Sequence, residues 1–89
     1  SKEFSSVAKI LMSQLDEFPQ KRDDKDFLGL LNVNIIRFTK IRKEMNEIAI
    51  QDTEKKIVSQ KDRDMDKEIY ANIIRTAQIR NVPIPKIDS

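Results

Sequence analysis

The chain has 89 residues, a formal net charge of +2, and no cysteine, histidine or tryptophan. Without cysteine there is no disulfide framework and no thiolate zinc site, and a reducing, intracellular setting (cytoplasmic or nuclear) is expected. The length suits one small domain, and the single glycine, Gly29, favours long helices with few connections over a turn-rich β fold.

Charged residues make up 36% of the chain and hydrophobic residues 38%, too apolar a mixture for a disordered segment. Each half carries a net +1, with neither a basic arm nor an acidic tail, so the charge gives little reason to expect nucleic acid as partner. The longest mainly apolar stretch, Phe27 to Ile36, is broken by Asn32 and Asn34 and falls well short of the ~20 residues that cross a bilayer. No membrane partner is expected. The opening Ser1-Lys2-Glu3 leads into an amphipathic segment rather than a signal peptide, and the missing initiator methionine fits a processed or excised fragment.

The first helix is expected from about residue 2 to 18. Phe4, Ala8, Leu11, Leu15 and Phe18 step by four and three along one stripe, Val7 and Met12 widen it, and Ile10 falls outside it. Pro19 ends the helix. A second helix opens at Asp23 or Asp24, where a carboxylate accepts the unpaired amides of the first turn, and runs to about residue 50. Gly29 costs that helix about 1 kcal/mol relative to alanine, so another element is expected to approach it closely. Leu28, Leu31, Ile35, Phe38, Ile41, Met45 and Ile48 form a slowly drifting stripe of the kind supercoiled packing uses. Leu30, Val33 and Ile36 point away from it.

Between Ile50 and Ser59 the apolar pattern fades. A turn is expected there, with Ser59-x-x-Asp62 resembling a capping box; the alternative is one continuous helix, since no proline or glycine forces a break. The third helix is expected over about 60–80, with Met65, Ile69 and Ile73 as one ridge and Tyr70, Ile74 and Ala77 as the next. Asn81 stops it, and the alternating prolines of Val82-Pro83-Ile84-Pro85-Lys86-Ile87 impose an extended path over 82–89. The expected fold is all-α: a three-helix bundle over 1–81, or a helical hairpin that dimerises into a larger bundle.

Nothing in the chain suits catalysis. Acid–base chemistry would fall to carboxylates, lysines or the lone Tyr70, and the carboxylates are all expected on mixed-charge, exposed segments; there is no glycine-rich phosphate loop. No cofactor and no metal is expected. The run Asp62-Arg63-Asp64-Met65-Asp66 has the opening of a calcium loop, but Lys67 stands where glycine is needed and Ile73 where a bidentate glutamate is needed.

Function is instead expected from surplus apolar surface. A self-contained bundle needs one apolar face per helix, and Phe27 to Phe38 presents two. The chain therefore reads as a helical protein–protein interaction module, a homodimerisation domain or a small subunit of a larger complex. Its interface is expected at Leu30, Val33, Asn34, Ile36, Arg37 and Lys40. Asn34 either sets register as a buried polar residue in the seam or sits at its edge, reaching water or a connector carbonyl. The competing arrangement makes the second helix central, covered by the other two helices and the tail. The rival function is a compact nucleic-acid-binding bundle, with Arg37, Lys40 and Lys43 as phosphate contacts on one basic face.

Overall fold

In the computed structural model the backbone is described over residues 2–55 and 60–84, and the side chains over 2–47, 61 and 63–84. Three helices are present: α1 (Lys2–Glu17), α2 (Lys25–Lys55) and α3 (Gln60–Ile79), and no strand occurs among the described residues. The fold is all-α.

The first helix follows its stripe: Phe4, Val7, Ala8, Leu11 and Leu15 are buried. It ends at Glu17, one residue earlier than expected. Pro19 has no amide hydrogen to extend the ladder, so Phe18–Gln20 tightens into a 3-10 turn that keeps Phe18 in the core. The α1 terminus is closed from a distance. Arg80 donates from Nη1 to the carbonyl of Leu15 and approaches Asp16 Oδ1 at 3.3 Å. A cation thus meets a carbonyl left without an intrahelical partner at the negative end of the helix.

Of the two candidate caps of α2, Asp24 takes the role. Its Oδ1 accepts from the Phe27 amide at 3.1 Å, and its carbonyl accepts from the Leu28 amide at 2.9 Å. The helix continues to Lys55, past the end expected near residue 50, because Gln51 to Lys55 lack an apolar stripe but contain no helix breaker. The connection at 56–59, with Ser59 of the expected capping box, lies outside the described residues, as does the side chain of Asp62. Tyr70 of α3 stacks on Phe38 of α2 with ring centroids 5.3 Å apart.

At the other end, α3 closes with a Schellman motif. Asn81 adopts φ 61°, the left-handed conformation that asparagine tolerates better than most residues. Its amide donates to the Gln78 carbonyl at 3.1 Å, and the Val82 amide to the Ala77 carbonyl at 2.8 Å. Ala77 and Val82 are both buried, which supplies the apolar contact typical of this cap.

Axial overlap decides what the core covers. At about 1.5 Å per residue, α2 is about 46 Å long and α1 about 24 Å, within a molecule measuring 47 × 25 × 20 Å. Phe4, near the start of α1, stacks on Phe38 at 4.9 Å, so α2 and the start of α3 run on beyond it as a two-helix projection. Two expectations fail accordingly. Met65, placed on a core ridge of α3, is exposed, and Met45 is only half-buried, since no third helix stands beside either. On α1, Met12 is exposed as well; at 100° per residue it lies about a quarter-turn from Leu11, outside the buried arc.

Candidate interaction surface

The buried side of α2 is set by Phe27, Leu31, Ile35, Phe38 and Ile41, which meet α1, α3 and the tail in one core. The opposite side is uncovered. Leu30 is 62% exposed, Val33 58% and Ile36 36%. The second helix is therefore not wrapped on all sides by the described parts of the chain. Gly29 shares the outer side, and the expected close approach is not made by any described residue: a β-carbon built there has none of them within 4 Å. In the isolated chain Gly29→Ala is expected to raise the stability by about 0.5–1 kcal/mol through helix propensity and lost chain entropy, measurable as a shift of the urea midpoint at constant slope.

The polar residues expected around this face divide. Asn34 is half-buried at the α1 edge, where its Nδ2 donates to Gln14 Oε1 at 3.1 Å. It thus takes an edge position, held by a side chain of α1. Arg37 also turns to α1, its Nη2 3.2 Å from Glu3 Oε1 in an exposed pair. Lys40 is exposed and Lys43 half-buried. Arg42, the fourth cation of the run, lies over the Tyr70 ring with its guanidinium carbon 5.7 Å from the centroid. The four positive charges therefore do not act as one surface: one faces a glutamate, one an aromatic ring, Lys40 is exposed and Lys43 half-buried.

Two features of the face carried little signal in the sequence. Ile10, 46% exposed, shares a side of α1 with Glu3 and Gln14, whose polar side chains pair with Arg37 and Asn34 of α2, so it lies on the flank of α1 that borders α2. Asp26, exposed in the first turn of α2, lies on the same outer side as Val33. Periodicity marked Ile10 only as an outlier, and no local pattern ties Asp26 to the apolar residues.

On the inner flank of α2 lies an open groove of about 310 Å³, walled by Phe18, Leu28, Leu31 and Ile35 and closed on one side by Val82 and Pro83. Its walls are continuous with the core. Among the described residues no group of three or more acidic side chains could hold a metal ion, and no helix is long and apolar enough to cross a membrane.

The fold and this surface define an all-α protein with an uncovered apolar helix face. Comparison of the chain with protein-family models, curated proteins and solved structures gives no match.

Proposed function

We propose that the chain is a non-catalytic helical interaction module, a homodimerisation domain or a small subunit of a larger complex, that docks through the outer face of α2. The observation that carries this reading is the exposure of Leu30, Val33 and Ile36 on successive turns of a helix whose other side packs into the core from Phe27 to Ile41. Burying a side chain of this size is worth roughly 1.5–3 kcal/mol. Three of them support a weak-to-moderate contact once the entropy of association is subtracted. Lys40 supplies a charged rim, with Arg37 beside it still half exposed in its pair with Glu3.

The test is Val33→Asp combined with Ile36→Asp. Because both positions face solvent, the double variant is expected to keep its far-UV helicity while losing association, read as molar mass by light scattering and as binding to any isolated partner. Unfolding of the variant as a monomer would place these residues in the core, and persistent association would place the contact elsewhere. The nucleic-acid alternative predicts a different dependence. Binding through Arg37, Lys40 and Lys43 to phosphates weakens steeply with salt, whereas apolar docking does not.

A further inference from the structure

The occupant of the α2 face can be read from the order of residues along it. From the N-terminus the outer side carries Asp26, then Gly29, Leu30, Val33 and Ile36, and then Arg37 and Lys40. Val33 is the midpoint of this series. Leu30 and Ile36 stand three residues to either side of it, Gly29 and Arg37 four, and Asp26 and Lys40 seven. At 100° and 1.5 Å per residue, Asp26 and Lys40 point within about 20° of Val33 and lie about 10 Å from it in opposite directions. Leu30 and Ile36 flank it at about 60° on either side.

We infer that the face binds a second copy of this chain, in an antiparallel α2–α2 contact with its twofold axis at Val33. This rests on the reading of the face as a docking surface and specifies its partner. In that arrangement Val33 meets its own symmetry mate, and Leu30 lies level with Ile36 of the partner subunit on the opposite flank of the seam. Asp26 comes level with Lys40 of the partner subunit, twice over by symmetry. The partner's Ile36 lies over Gly29, where no described residue of the isolated chain comes within 4 Å of an added β-carbon. A parallel pairing would set Asp26 against Asp26 and Lys40 against Lys40, so the charges select the antiparallel one. The apolar centre is small beside the ~800 Å² per partner of a standard interface, and the dimer is weak and reversible.

The absence of cysteine gives a clean background for the test. Val33→Cys in the full chain is expected to form a disulfide-linked dimer on mild oxidation, much faster than Gln78→Cys, which places a thiol on an exposed position of α3. Asp26→Lys and Lys40→Asp each turn two attractive pairs into two repulsive ones. Each variant alone is expected to self-associate on the order of ten-fold more weakly by sedimentation equilibrium. An equimolar mixture of the two is expected to recover wild-type association, because both pairs in the mixed dimer are again of opposite sign. Circular dichroism of each variant separates this from misfolding. A wild-type chain that stays monomeric to millimolar concentration, with no preferential Val33→Cys cross-link, overturns self-pairing; loss of a different partner in the aspartate variant would then still support the docking reading. A dimer whose mixed variants stay as weak as either alone overturns the antiparallel register.

Discussion

Phe38→Ala is expected to destabilise the domain by about 3–5 kcal/mol, the range for truncating a buried phenylalanine. Small domains are stable by only about 5–15 kcal/mol in total, so this change removes much of what holds the chain folded. The site is unusual in that one side chain joins all three helices. The Phe38 ring stacks on Phe4 of α1 at 4.9 Å and 21°, and on Tyr70 of α3 at 5.3 Å and 19°. Arg42 then lies on the Tyr70 ring, so the loss of Phe38 removes the support on which that cation rests. Phe38 and Phe4 are both fully buried, and the cavity left behind cannot collapse without moving a helix. Thermal unfolding is expected to shift downwards by about 12 °C or more. Phe38→Leu, which keeps most of the volume and loses the stacking, should fall between. A near-wild-type melting temperature for Phe38→Ala would mean that the three rings do not form the centre of the core.

The second large effect is expected at the C-terminus. A chain ending at Asn81 loses Val82, which is only 6% exposed, and Ile84, which packs against the core. It also loses the Val82 amide bond that completes the α3 cap. Removing a buried valine is worth about 1.5–3 kcal/mol and the bond about 0.5–1.5 kcal/mol, so a fall in melting temperature of about 8 °C or more is expected. Amide protection should drop in the last turn of α3 and around the groove that Val82 and Pro83 wall. An unchanged melting temperature with unchanged protection would make the segment a linker. This concerns residues 82–84, since 85–89 of the expected extended tail lie outside the described residues.

These two sites differ in how far they could be read in advance. The stripe that buries Leu31, Ile35 and Phe38 is written in the spacing of apolar residues, and so is the exposure of Leu30, Val33 and Ile36 on the other side. Angular position around a helix is a local property, and one periodic segment carries it. What lies next to each angle is not local. Met65 and Met12 both sit on apolar patterns and both are exposed, the first because α1 is too short to reach it, the second because the buried arc of α1 is narrower than its apolar composition. Asn34 and Arg37 were expected in a partner interface, and within the chain they pair with Gln14 and Glu3, residues 20 and 34 positions away.

The all-α class, the aspartate start of α2, the stops near Pro19 and Asn81 and the two-faced character of α2 were thus determined by the sequence alone, whereas the end of α2 at Lys55 was not. Proline, an N-terminal aspartate cap and a left-handed asparagine act within a few residues of themselves, and amphipathic periodicity acts within a few turns. The tertiary structure decided where the helices overlap along their axes, which cations are engaged, and that Arg80 closes α1 across a separation of 65 residues. It also decided that no part of the described chain comes near Gly29. Those outcomes depend on the relative lengths and offsets of packed helices, and on which long side chains then come within hydrogen-bonding reach of one another. No window of sequence contains that information, because each such contact is made between residues that only the closed bundle brings together.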